Sequence, residues 1–147
     1  MTEYVFDAEP LIAFLYDEPG AVDVSDRLKE IDEGEATGAL AHATATELVY
    51  KVARLETGAP NRATPGGDEL ETGERDLRVL QGYGLTIETP PWSTVARIKA
   101  AGGIALGDSY AAALAADRDA TLIVGADPEF GDLSVDVTLH RIRDEPA

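Results

Sequence analysis

Residues 4–15 read YVFDAEPLIAFL and decide the fold, because they place an acid between two apolar segments of different period. Residues 4–6 form a short apolar run, which is typical of a buried strand. The apolar residues within 11–15 then follow at helical spacing. The stretch therefore predicts a strand that leads into a helix, with Asp7 at the carboxyl end of the strand.

The rest of the chain repeats this alternation. Residues 34–41 are small and mixed, and they predict a turn with at most a short strand. Residues 57–73 contain two prolines and four glycines, which predicts a surface loop. Helical patterns cover 21–31, 46–55, 74–81, 92–101 and 108–116, and apolar runs that predict strands cover 84–88, 120–124 and 135–139. Alternating strands and helices favour an α/β fold, with a mostly parallel central sheet flanked by helices.

The length and composition limit the class of protein. A chain of 147 residues is long enough for one domain, and we expect a single domain over residues 1–147. The absence of cysteine excludes thiolate zinc sites, iron–sulfur clusters, disulfides and cysteine nucleophiles. No apolar run approaches the roughly 18–20 residues that span a bilayer, and the first residues lack the basic region of a signal peptide. We expect a soluble, cytoplasmic protein.

The net charge of −16 comes from 28 acids and 12 bases, and it argues against an anionic partner such as RNA. Only Lys29, Lys51 and Lys99 are lysines, and the other bases are arginines. An acidic, lysine-poor chain without cysteine is typical of haloarchaeal and other salt-loving microbes that keep molar salt in the cytoplasm. The Debye length there is about 3 Å, so most of the acidity is expected to be an adaptation to solvent.

Four acids stand in apolar surroundings rather than on polar faces: Asp7, Glu47, Asp108 and Asp127. An ionised carboxylate near apolar groups is costly unless a cation or hydrogen-bond donors meet it. If the four converge, they require a metal ion. Oxygen ligands without cysteine and with only two histidines favour Mg²⁺ or Mn²⁺ over zinc.

Each acid also has a simpler interpretation. Asp108 and Asp127 both precede helical patterns, and an N-cap role explains each of them as well as a place in a metal site does. Glu47 lies one turn before Lys51, so it is also placed for an exposed ion pair of roughly 0.3–0.5 kcal/mol. Asp7 is harder to explain in this way, because open α/β sheets bind ligands at the carboxyl ends of their strands.

The chain resembles the PIN-domain ribonucleases, and within them the VapC type of toxin. The motifs that carry the resemblance are residues 4–15, 17–20 (DEPG), 46–51 (TELVYK), 106–111 (LGDSYA) and 124–130 (VGADPEF). They cover almost the whole chain, in order and at suitable spacing. Two positions depart from the family pattern, because Ala8 and Gly125 stand where the family usually has a hydroxyl side chain that orients the carboxylates. Glu9 is a candidate to compensate for this loss.

The resemblance implies a single PIN-like nuclease domain that hydrolyses RNA internally with Mg²⁺ or Mn²⁺. Asp7, Glu47, Asp108 and Asp127 would divide metal binding and orientation of the attacking water, on one ion or two. Lys51, and more weakly Arg54, would contact RNA phosphates. The resemblance further implies a homodimer and inhibition by a small cognate antitoxin. Two alternatives remain open at this point, an inactive module that only binds RNA or protein and a housekeeping RNA-processing nuclease.

Overall fold

A five-stranded parallel sheet forms the centre of the computed structural model, which describes residues 1–146. Ala147, the last residue of the predicted single domain, lies outside the described residues. The strands are β1 (Thr2–Phe6), β2 (Ala36–Ala41), β3 (Thr86–Glu88), β4 (Thr121–Val124) and β5 (Thr138–Arg141). The helices are α1 (Ala8–Leu15), α2 (Ala21–Asp32), α3 (His42–Glu56), α4 (Gly67–Gly82), α5 (Trp92–Ala101) and α6 (Leu106–Arg118), with a 3₁₀ helix at Pro128–Asp132. The predicted α/β class is confirmed, and every strand pairing is parallel.

Helices cover both faces of the sheet, as a parallel sheet requires. Successive residues of β1 point to opposite faces, so Tyr4 and Phe6 pack with Leu28 of α2 on one side. Val5 packs on the other side with Leu114 of α6. Two apolar cores result, one beneath α1 to α4 and one beneath α5 and α6.

The sheet order is β3-β2-β1-β4-β5, so the chain moves outward from β1 in one direction and later continues from β1 in the other. The strands on either side of this reversal are β1 and β4. In open parallel sheets, the crevice at the carboxyl ends of such strands is where ligands bind. Asp7 is the residue that follows β1 directly, so the topology places it in this crevice.

The predicted loop at 57–73 is wrong in its second half, because residues 67–73 form the first two turns of α4. Acids at Asp68 and Glu69 favour this helix start through the helix dipole. Gly73 lies inside α4, at a point where this helix packs closely on α3. A Cβ at Gly73 would come within 2.6 Å of the carbonyl oxygen of Val49. The glycine therefore permits helix packing and does not mark a break.

Two strands also differ from the sequence prediction. Residues 36–41 form a full strand of the sheet interior, where a turn with at most a short strand was expected. Small residues suit this position, since a Cβ at Gly38 would overlap the side chain of Ile31. The last strand begins at Thr138 rather than at residue 135, because its pairing with β4 starts where Thr138 meets Thr121.

Among the described residues, no helix has the length and apolar character needed to cross a membrane.

Candidate metal centre

Asp7 is a buried carboxylate with an unsatisfied oxygen. Its backbone amide donates a hydrogen bond to the carbonyl of Ile123 on β4 (3.0 Å), which fixes the residue between the two central strands. The residue is 5% exposed, and its Oδ1 has no hydrogen-bond partner among residues 1–146. Asp7 occupies the N-cap position of α1, yet its side chain makes no capping hydrogen bond. One carboxylate oxygen of Asp7 is thus free of hydrogen bonds within residues 1–146.

Glu47 and Asp108 complete a first group of acids around Asp7. One carboxylate oxygen of each residue lies within 4.8 Å of the corresponding oxygens of the other two. Glu47 is on α3, which follows β2 without a loop, and the buried Asp108 is in the first turn of α6. Gly107 allows this approach, because a Cβ there would lie 3.1 Å from Oε2 of Glu47. Three separate elements therefore bring their carboxylates to one point.

Asp127 and Glu129 form a second group with Asp108, again with one oxygen of each within 4.8 Å of the others. Both of these acids already accept hydrogen bonds from the protein. The backbone amide of Glu129 donates to Oδ1 of Asp127 (2.9 Å), and that of Ala105 donates to Oε2 of Glu129 (3.2 Å). This second group is less buried than the first. Asp108 is common to both groups, and it is the centre of the site.

The structure thus brings together all four acids predicted from the sequence and adds Glu129. Glu129 was not among the site residues predicted from the sequence. The signal that could have revealed it is its position two residues after Asp127, within the same motif at 124–130.

The simpler interpretations of the acids have different outcomes. An N-cap role for Asp108 is wrong, because Ala105 is the N-cap of α6 and Asp108 lies inside the helix. The N-cap role of Asp127 is confirmed for the 3₁₀ helix, and it coexists with membership in the cluster. Glu47 does approach Lys51, at 3.6 Å between Oε1 and Nζ, while also facing Asp7 and Asp108.

Burial and mutual repulsion oppose ionisation at the centre of the cluster. Burial, and next the charge of Glu47, raise the pKa of Asp7 to about 7. Burial, and next the charge of Asp7, raise the pKa of Asp108 well above its ordinary range. A neighbouring Glu129 carboxyl within hydrogen-bonding reach acts in the same direction on Asp108. The full set of charges is stable only with a compensating cation.

The donor set fits a hard divalent cation. Every candidate ligand is a carboxylate oxygen, which suits Mg²⁺ or Mn²⁺. Neither group found in residues 1–146 includes a histidine, and His140 is held elsewhere by Asp23 at 2.7 Å. The Oδ1 atom of Asp7 has no hydrogen-bond donor among residues 1–146, so it is available as a ligand.

A groove of about 370 Å³ adjoins the cluster and contains the two predicted RNA-binding residues, Lys51 and Arg54. Lys51 is exposed on α3, one turn beyond Glu47. The Arg54 side chain donates from Nε to the carbonyl of Pro60 (2.7 Å) and lies over the ring of Tyr50. The Arg54 guanidinium is therefore partly engaged within the protein, whereas the Lys51 ammonium is accessible.

The fold and the site together define a parallel α/β domain with a carboxylate cluster at its topological switch point. The model of the PIN domain family matches residues 4–135, and the chain belongs to that family. No curated protein matches the sequence significantly.

Solved structures share the fold along nearly their whole length. A chain of VapBC2 from Rickettsia felis, bound to a DNA fragment from its promoter, has a TM-score of 0.67 at 15% identity, with 95% of this chain and 98% of that chain covered. DNA-bound VapBC from Salmonella typhimurium gives 0.62 at 15% identity, with 97% and 99% covered. FitAcB from Neisseria gonorrhoeae gives 0.57 at 20% identity, with 95% and 97% covered. At these identities, the likeness establishes the fold.

Proposed function

We propose that the protein is a Mg²⁺- or Mn²⁺-dependent endoribonuclease, and that it acts in the cytoplasm as the toxin of a toxin–antitoxin pair. The observation that carries the proposal is the buried carboxylate of Asp7, which has an unsatisfied oxygen and lies beside Glu47 and Asp108. Membership of the PIN domain family supports a nuclease. The cluster contributes no evident stability to the fold, because burial and mutual repulsion raise the pKa values of Asp7 and Asp108, as is common at functional sites.

Asp7, Glu47 and Asp108 would hold the cation most directly, with Asp127 as the fourth acid that divides metal binding and water orientation with them. A bound divalent ion supplies a Lewis acid for a phosphate oxygen and lowers the pKa of a bound water. Asp127 keeps one carboxylate oxygen free of the hydrogen bond from Glu129, and this oxygen would orient the attacking water. Glu47 and Asp108 lie on helices, and Asp7 and Asp127 occupy N-cap positions after strands, so regular elements hold all four acids.

Lys51 is the proposed phosphate contact, because it is exposed at the edge of the cluster and lines the groove. Arg54 adds a weaker contact further along the same helix. The net charge of −16 opposes RNA binding at low ionic strength, while molar salt screens charges separated by more than about 3 Å. We therefore expect activity to require molar KCl for the fold and divalent ions for the site.

The toxin role is supported by the fold shared with VapBC and FitAcB complexes. We propose that a small cognate antitoxin binds this chain and silences it, and that the chain forms a homodimer. Purification from the native host tests this directly, with the expectation that a short protein from the adjacent gene copurifies and inhibits cleavage. An active enzyme without such a partner would instead be a housekeeping RNA-processing nuclease.

The experiment that tests the nuclease compares RNA cleavage by the wild type, by Asp108→Asn and by Asp26→Asn in molar KCl. Asp108 belongs to both carboxylate groups, so its replacement removes every arrangement of ions that the cluster offers. Asp26 is an exposed acid on α2 and is a matched control. We expect cleavage by the wild type and Asp26→Asn that stops on chelation, and none by Asp108→Asn.

Equal cleavage by Asp108→Asn and the wild type would refute the proposed site. Absence of cleavage by every protein, together with tight RNA binding, would indicate the alternative of an inactive binding module.

A further inference from the structure

Glu9 fills a space beside Gly125 at the edge of the carboxylate cluster. The two residues lie on α1 and directly after β4. Oε2 of Glu9 accepts a hydrogen bond of 2.7 Å from the backbone amide of Ala126. A Cβ added at Gly125 would overlap the Glu9 carboxylate. The glutamate and a side chain at residue 125 are therefore mutually exclusive in this geometry.

The segment that Glu9 contacts carries Asp127 into the cluster. Its backbone is held from a second direction by Arg141, whose Nη1 donates to the carbonyls of Gly125 and Asp127, each at 2.9 Å. The hydrogen bond to Glu9 is the contact that ties the same turn to α1, the helix that begins after Asp7. Glu9 thus links the helix that begins after Asp7 to the turn that carries Asp127.

The charge of Glu9 is balanced by Arg143. Nε of this arginine lies 3.2 Å from Oε2 of Glu9, and its Nη1 lies 3.1 Å from Glu18 and donates to the carbonyl of Pro19. The Arg143 side chain is only 8% exposed. Neither of the two carboxylate groups includes Glu9. Glu9 is thus built into the protein as a hydrogen-bond acceptor with its own counter-charge.

We infer that Glu9 is a positioning residue, which Arg143 holds in place and for which Gly125 makes room, and that it sets the turn bearing Asp127 against α1. Its consequence for metal binding and cleavage rests on the proposed function. The contact of Glu9 with the turn is independent of the proposed function.

A double-mutant cycle tests the inference with Glu9→Ala, Gly125→Ala and the double variant. The measurements are the thermal unfolding midpoint after chelation, Mn²⁺ affinity by calorimetry, and RNA cleavage. We expect each single variant to bind Mn²⁺ about 10-fold more weakly, as for other groups that orient metal ligands. The double variant should match Glu9→Ala, because the Glu9 side-chain atoms that the methyl group at residue 125 would overlap are then absent. The unfolding midpoints should show the same non-additivity.

Glu9→Gln separates positioning from charge, because the amide oxygen still accepts from Ala126 while the charge is lost. We expect its Mn²⁺ affinity to stay close to that of the wild type. Losses that add in the double variant, or Glu9→Gln as weak as Glu9→Ala, would overturn the inference. The unfolding cycle needs no metal. A wild type that neither binds Mn²⁺ nor cleaves RNA would therefore defeat the proposed function, and the unfolding midpoints would still decide the Glu9–Gly125 coupling.

Discussion

Replacing Asp7 by asparagine should stabilise the metal-free protein. Burial raises the pKa of Asp7 from its ordinary value of 3.8 to about 7. Since one pKa unit corresponds to about 1.4 kcal/mol, ionising Asp7 at pH 8 costs the folded state up to about 4 kcal/mol. Asparagine is neutral and of similar shape, and Oδ1 of Asp7 has no hydrogen bond to lose. For a chain of this size, the gain corresponds to a rise in the unfolding midpoint of about 8–16 °C.

The gain should depend on pH with a defined sign. The folded protein keeps the Asp7 proton up to about pH 7, whereas the unfolded chain loses it near pH 3.8. Because the folded state binds more protons in this window, the unfolding free energy of the metal-free wild type should fall as the pH rises from about 4 to about 7. The raised pKa of Asp108 acts in the same direction. The difference in unfolding free energy between Asp7→Asn and the wild type should therefore increase from about pH 4 to about pH 7 and stay constant above pH 7.

Thermal unfolding in molar KCl after chelation measures the effect, and excess Mn²⁺ should narrow the difference. An ion at 100 times its dissociation constant stabilises the wild type by about 2.7 kcal/mol and leaves Asp7→Asn unchanged. The exposed control Asp26→Asn should stay within about 0.5 kcal/mol of the wild type throughout. A metal-free Asp7→Asn protein that is less stable than the wild type at pH 8, or a difference that does not vary with pH, would refute the reasoning.

Three further substitutions test neighbouring contacts. Gly107→Ala should weaken Mn²⁺ binding about 10-fold in calorimetry, because the new methyl group presses on Oε2 of Glu47; unchanged affinity would contradict this close approach. Gly73→Ala should lower the free energy of unfolding by about 1–3 kcal/mol in urea, because α4 must move away from α3, whereas Gly67→Ala, with open space around it, should not. Lys51→Ala should raise KM for RNA more than it lowers kcat, and a purely kcat effect would argue against a phosphate contact.

The parts of the fold that the sequence predicts well have an unmistakable period. Residues 4–15 change from a continuous apolar run to helical spacing at Asp7, and β1 and α1 follow that change. The strand at 36–41 could not be predicted from its small residues. Gly38 is small because the Ile31 side chain of a neighbouring helix packs against it, and the local sequence does not show this contact. Gly73 likewise led to the prediction of a loop. The reason for this glycine is the close approach of the Val49 backbone, which belongs to another helix and is not visible in the local sequence.

The same division applies to the site. Asp7 and Asp127 could be predicted to lie near each other, because both follow strands whose carboxyl ends share one edge of a parallel sheet. Glu47 and Asp108 lie on helices, and the family resemblance grouped them with the other two acids. The contact of Glu9 with Arg143 joins residues separated by 134 positions, and no local pattern reveals it. The participation of Glu129 depends on a 3₁₀ turn that a pattern of apolar residues does not specify.

Mn²⁺ binding by calorimetry in molar KCl tests most directly whether the cluster is a metal site within an otherwise solvated acidic surface. The account predicts saturable binding by the wild type and by Asp26→Asn, and loss of that binding in Asp108→Asn, since Asp108 is shared by both carboxylate groups. Binding by Asp108→Asn that equals the wild type would contradict the account, because the ions would then be held by the acidic surface as a whole.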